Sequence, residues 1–171
     1  MSPSEAMSVL EQGANLQLQV RRVIPATRQR VYEAWTKPEI LRQWFGPGNM
    51  TVPSAATELR VGGAYRIQME GSAAACEGNA TDSDTSRTAV ASGVYTKLVP
   101  NELLSFTWKG DWDPTEETLV TVALRDVEGG TEMTLTHERF ATAESRGKHE
   151  HGWTLSTQKL AKVCEGSGDF D

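Results

Sequence analysis

The stretch AESRGKHEHGWTLSTQKLAKVC, Ala143 to Cys164, decides the fold. At helical spacing Trp153, Ser156, Thr157, Leu160, Val163 and Cys164 fall at i, i+3, i+4, i+7, i+10 and i+11, one continuous stripe. Lys148, Glu150, Lys159 and Lys162 occupy the opposite side. A helix of this kind must lay its stripe against something, and nearly everything before it has the pattern of β-strand. The expected arrangement is a sheet closing around one long C-terminal helix.

Working back from the helix, Met133, Leu135 and His137 alternate after a Gly129-Gly130 hairpin turn. Val120, Val122 and Leu124 share a face within Leu119 to Arg125, preceded by a loop holding Gly110, Asp113 and Pro114. Leu104, Phe106 and Trp108 form another strand, joined through Pro100-Asn101 to a strand over Gly93 to Val99. Gly71 to Val90 is rich in Ala, Ser, Thr, Gly, Asp and Asn without apolar period, which predicts a long flexible surface loop. Before it Tyr65, Ile67 and Met69 alternate with Arg66, Gln68 and Glu70, after a Gly62-Gly63 turn and a strand over Thr51 to Leu59.

Nearer the start, Leu16, Leu18 and Val20 mark a first strand that Pro25 stops. Thr27 is positioned to cap a short helix with Val31, Ala34 and Trp35 on one face. Lys37-Pro38 breaks it and starts a second helix, pairing Ile40 with Trp44 and Leu41 with Phe45, until Gly46-Pro47-Gly48. The expected class is α+β, with one domain over residues 16–165 between a flexible tail at 1–15 and a short tail at 166–171.

The totals narrow the function. At 171 residues the chain suits one domain able to bury a core and leave a cavity. A net charge of −6 and a pI near 5.1 argue against nucleic acid and anionic membranes, which would repel it at long range. No apolar run approaches the roughly 18 residues that span a bilayer, and no basic-then-apolar leader opens the sequence, so a cytoplasmic protein is expected. Cys76 and Cys164 lie in unlike contexts and read as free thiols.

Several motifs in order carry a family resemblance: Ala34-Trp35-Thr36-Lys37-Pro38, Trp44-Phe45-Gly46-Pro47, Leu59-Arg60-Val61-Gly62-Gly63, Thr107-Trp108, Val120-Thr121-Val122, Gly130-Thr131, His137 and Gly152-Trp153. The chain resembles the SRPBCC superfamily, and within it the branch named after the activator of the heat-shock protein 90 ATPase, from about Leu16 to Cys164. The resemblance implies a helix-grip, START-like fold: a curved antiparallel sheet wrapped around a long C-terminal helix, two short helices after the first strand, and a cavity between sheet and helix. Two departures stand out, the long segment after Glu70 and the polar Ser156 and Thr157 on the inner stripe.

The aromatics that the pattern turns inward supply large rigid surface suited to an apolar or aromatic small molecule. The expected ligand-binding set is Trp35, Trp44, Phe45, Tyr65, Met69, Tyr95, Phe106, Trp108, His137, Trp153, Ser156 and Thr157, with Trp153, Ser156 and Thr157 as the pocket floor. His137, inward at period two, is either a general acid or base or, as favoured, a structural histidine bonded to a backbone carbonyl or to Tyr95. Glu58 is a weaker catalytic candidate, read rather as solvated or paired with Arg60 or Arg66. His149 and His151, two apart on a helix, point to different faces and do not form a metal pair, so no metal and no cofactor are expected.

Binding of a small hydrophobic molecule without chemistry is the leading expectation. The resemblance implies two alternatives: a polyketide cyclase or aromatase-like enzyme using His137, Tyr65, Tyr95 and Glu58, and a chaperone-ATPase-activating interaction module. The last ranks third, because the eukaryotic cochaperone behind the name has a further domain ahead of this one, whereas residues 1–15 alone precede the fold here. An uncovered edge strand would allow a homodimer.

Overall fold

Period-two alternation becomes strand and the helical stripe becomes helix through most of the described residues. The computed structural model describes residues 16–46, 50–72 and 86–166. Its elements are β1 (Leu16–Ile24), α1 (Arg28–Thr36), α2 (Pro38–Trp44), β2 (Thr51–Thr57), β3 (Ala64–Ser72), β4 (Ser86–Val99), β5 (Leu103–Gly110), β6 (Asp113–Val127), β7 (Gly130–Phe140) and α3 (Ala143–Gly166). The strands form one seven-stranded sheet in the order β1-β7-β6-β5-β4-β3-β2, antiparallel at each pairing.

That order explains the short helices. Strands β2 to β7 run as a meander, while β1 pairs with β7 at the far edge, so the chain must cross from one edge of the sheet to the other between β1 and β2. Helices α1 and α2 make the crossing. The side chain of Thr27 caps α1 by accepting from the Arg30 N–H at 3.2 Å, and Pro38 opens α2 where its missing N–H costs nothing. Between them the Trp44 indole donates to the Ala34 carbonyl at 2.8 Å, fixing one helix against the other.

Helix α3 lies on the sheet with Trp153, Ser156, Thr157, Leu160 and Cys164 buried. Its start is held by Thr142, whose hydroxyl accepts from the Ser145 N–H, and by Glu116, which accepts from the Ala141 N–H and the Ser145 hydroxyl. Along β7 the residues Thr131, Met133, Leu135 and His137 all face inward. At its end a bulge opposite Leu16 and Gln17 leaves Arg139 at a positive φ of 75° and turns Phe140 inward as well.

Three expectations change. Of the stretch read as a loop, Gly71–Ser72 belongs to β3 and Ser86–Val90 to β4, paired through the backbone rather than through apolar side chains; 73–85, with Cys76, lie outside the described residues. Asp113 and Pro114 are the start of β6, not a loop, because Glu117 and Thr118 already pair with Lys109 and Trp108. Lys159 is not an outward charge: it is half-buried and donates to the carbonyls of Gly46 at 2.9 Å and Met50 at 3.2 Å, tying α3 to the segment after α2. Residues 1–15 and 167–171 lie outside the described residues, and Gly166 closes α3. Among the described residues no helix is long and apolar enough to cross a membrane.

At Gly93 the sheet comes unusually close to itself. A Cβ there would lie 2.0 Å from the Thr107 carbonyl oxygen. Around this point the β4–β5 register has no pairs between Ser92↔Lys109 and Tyr95↔Phe106, and Thr107 substitutes for the ladder: its hydroxyl accepts from the Val94 N–H and its carbonyl from the Tyr65 hydroxyl. Gly93→Ala is therefore expected to push two strands apart and cost about 2 kcal/mol in denaturant unfolding; an unchanged midpoint and slope would contradict the close approach.

Candidate functional site

All twelve residues expected at the ligand site are buried, but they divide between two neighbourhoods. The first is a pocket lined by Trp35, Leu41, Phe45, Tyr65, Ile67, Tyr95 and Phe106. It lies between the crossing formed by α1 and α2 and the strands β3, β4 and β5, and none of its lining comes from α3. The space left for a water-sized sphere is about 10 Å³, close to what a single water needs.

Edge-to-face and tilted rings build its walls. Trp35 meets Phe106 at 6.2 Å between centroids, Tyr65 meets Phe106 at 5.3 Å and Tyr95 at 5.7 Å. Trp44 backs the pocket without lining it, 4.8 Å from Trp35 and 5.2 Å from Phe45. Met69 sits against Gly46, with its sulfur 3.4 Å from where a Cβ would stand. The Tyr65 hydroxyl donates to the Thr107 carbonyl at 2.6 Å. Burial first, then the neighbouring Tyr95 and Glu117, raise the Tyr65 phenol well above its ordinary range, and burial followed by Tyr32 does the same for Tyr95. Both therefore stay protonated, and Tyr65 serves as a hydrogen-bond donor rather than a base.

The second neighbourhood pairs imidazoles with indoles. The Trp153 indole N–H donates to His137 Nδ1 at 2.9 Å, and His137 Nε2 lies 2.6 Å from the Thr118 hydroxyl. An indole can only donate, so Nδ1 must be unprotonated, Nε2 must carry the proton, and Thr118 passes its own proton on to the Trp108 carbonyl at 3.3 Å. A parallel unit stands beside it: the Trp108 indole donates to His149 Nε2 at 3.2 Å, while His149 Nδ1–H reaches the Ser145 carbonyl at 2.8 Å. The two imidazole centroids are 5.0 Å apart, with Phe140 4.3 Å from His137.

Protonating either histidine would set an N–H against an N–H. Burial, followed by the charge of His149, holds His137 well below its ordinary pKa of 6.5; His149 is lowered by burial too, against the opposing pull of the Ser145 carbonyl and Glu116. The partners of His137 are Thr118 and Trp153, in place of Tyr95 or a backbone carbonyl. Trp153 joins the neighbourhoods through Trp35 and Phe45, each at 5.7 Å, and Trp108 at 5.1 Å.

The remaining candidates have other duties. Thr157 donates to the Trp153 carbonyl at 2.7 Å and accepts from Arg22 at 3.3 Å, which joins α3 to β1. Ser156 is buried beside it and does not line the pocket. Glu58 is exposed, and instead of pairing with Arg60 or Arg66 it accepts from the Ala64 N–H at 3.0 Å across the turn. Cys164 is a buried free thiol, pushed up to about 12 by burial.

Sequence reasoning missed Leu41 and Ile67 in the lining, because it weighted aromatics over aliphatics. It also passed over Thr118, and weighed His149 only as a metal ligand. Thr118 sits on the inward face of β6 with Val120, Val122 and Leu124, and His149 lies four residues before Trp153 on the same stripe. Both signals were present as polar residues at inward positions.

A curved antiparallel sheet gripping a long C-terminal helix, with an aromatic pocket at the crossing helices, makes this a helix-grip protein of the α+β class. The chain belongs to the family described as Activator of Hsp90 ATPase homolog 1-like protein, which it matches over residues 25–165. It is similar to a crystal structure of a Chromobacterium violaceum protein, at 24% identity over 88% of this chain and 99% of that one, with a TM-score of 0.73. A Rhodobacter sphaeroides protein matches at 24% identity over 90% and 95%, with a TM-score of 0.71. An AHSA1 protein of Silicibacter pomeroyi matches at 25% identity over 85% and 94%, with a TM-score of 0.67. At such identities the likeness speaks for the fold. Comparison with curated proteins finds no match.

The forced tautomer of His137 has a measurable consequence. Below the ordinary pKa of 6.5 the unfolded chain takes up a proton that the folded chain refuses, so stability is lost as pH falls through that window and is unaffected above it. Denaturant unfolding between pH 7 and 5 is expected to show a fall of up to about 1.4 kcal/mol per pH unit from His137. His137→Gln, which keeps an acceptor and a donor, is expected to lose that share of the slope; an identical slope in both proteins would contradict the assignment.

Proposed function

We propose that the protein binds a small, largely apolar or aromatic molecule in the pocket between the α1–α2 crossing and strands β3 to β5. The observation that carries this reading is the lining itself: seven buried residues, five of them aromatic, surround residual space in a fold whose family supports ligand binding in general terms. The rings are rigid surfaces that exclude water, and the lining includes no carboxylate, imidazole or thiol to perform acid–base or nucleophilic chemistry. Its titratable groups are two phenols that burial holds protonated.

Binding requires the pocket to widen. A benzene-sized guest occupies a cavity of ~150 Å³, so side chains on the helix side, Trp35, Leu41 and Phe45, must move away from Tyr65, Tyr95 and Phe106. The closed form then reduces apparent affinity by the fraction of molecules that are open, a cost that a well-matched ligand offsets.

A thermal-shift series of small aromatic hydrocarbons and ketones tests the reading. At a hundred times its dissociation constant a ligand stabilises by about 2.7 kcal/mol, a rise in melting temperature of roughly 5–10 °C for a domain of this size. Leu41→Phe, which carries a ring into the closed pocket at some cost in stability, is expected to abolish the rise, with near-ultraviolet circular dichroism confirming the native fold. No rise with any member of the series would overturn the proposal.

A further inference from the structure

The buried indoles are treated unequally. Trp44 donates to the Ala34 carbonyl, Trp153 to His137 and Trp108 to His149, all between 2.8 and 3.2 Å. Trp112 is 44% exposed and can donate to water. Trp35 is 3% exposed, and its indole N–H has no hydrogen-bond partner. Buried donors are almost always satisfied, so this one calls for an explanation. The protein spends a carbonyl or an imidazole on each of the other buried indoles, and leaves without an acceptor the one that lines the pocket.

We propose that the Trp35 indole N–H is the polar anchor of the binding site, and that the ligand is a neutral, mostly apolar molecule presenting one hydrogen-bond acceptor such as a ketone, ester or ether oxygen. The inference rests on the binding reading above and deepens it. Neutrality follows from the lining: it contains no Lys, Arg or His, so a carboxylate or phosphate would lose its hydration with no countercharge to replace it. The acceptor follows from the buried donors: the Tyr65 hydroxyl is engaged by the Thr107 carbonyl, and among the lining residues the Trp35 N–H alone is both fully buried and without a partner. A ligand oxygen that meets this donor removes an unsatisfied buried group, and a hydrocarbon of the same shape leaves it unsatisfied.

Acetophenone and α-methylstyrene form a matched pair of probes, similar in outline and nearly equal in size, differing in C=O against C=CH₂. Titrated into the ¹⁵N-labelled full chain, acetophenone is expected to bind about tenfold more tightly and to shift the Trp35 indole resonance downfield, while the hydrocarbon binds without that shift. Trp35→Phe identifies the resonance and is expected to erase the preference for the ketone. The wild-type shift and the affinity ratio decide the matter by themselves if that variant does not fold. Equal affinities with no movement of the Trp35 resonance overturn the anchor and leave the apolar site standing. Failure of both probes to perturb any lining residue overturns the site as well.

Discussion

One buried hydrogen bond, from the Trp153 indole to His137 Nδ1, joins the two halves of this architecture. The helix contributes the donor and the sheet the acceptor, and both groups are buried. A buried polar contact of this kind stabilises by only about 1 kcal/mol net, but separating its partners strands both at a cost of roughly 1–3 kcal/mol each. It therefore acts mainly on specificity: α3 can lie on the sheet in one register, with the imidazole in one tautomer. The neighbouring Trp108–His149 pair repeats the device in the opposite sense, sheet indole to helix imidazole, so helix and sheet are fastened in both directions.

This fastening decides where the fold can leave room. The inner face of α3 around Trp153 and Thr157 is occupied by polar contacts to β7, β1 and its own backbone. What is left less tightly bound is the end of the sheet where the α1–α2 crossing covers strands β3 to β5 mainly through rings and the aliphatic Leu41 and Ile67. Ring contacts are adjustable in a way that a network of directed hydrogen bonds is not. The pocket and the unmatched, buried Trp35 N–H fall at that adjustable end.

Much of the fold was legible because it depends on periodicity. The stripe from Trp153 to Cys164 and the inward alternation of Met133, Leu135 and His137 can be read without knowing any partner residue. Ser86 to Thr88 and Asp113 to Glu117 escaped, since small polar residues join a sheet through backbone bonds that leave no mark on hydropathy. The site was half legible for a similar reason. Burial of the aromatics follows from pattern, but which of them meet depends on the crossing from β1 to β2, a non-local feature. Hence Trp153, Ser156 and Thr157 were expected to floor the pocket, while Leu41 and Ile67 in fact help to line it. The unsatisfied state of the Trp35 N–H could not be read at all, because it is defined by what every neighbouring group is already bonded to.

The most direct test is a crystal structure of the protein grown with a small aromatic ketone. Density for the ketone is expected among Trp35, Tyr95 and Phe106, with the Trp153–His137 bond intact and the helix side of the pocket displaced. Density between α3 and β7 with that bond broken, or an unchanged pocket with the ketone bound only elsewhere, would contradict the proposed site.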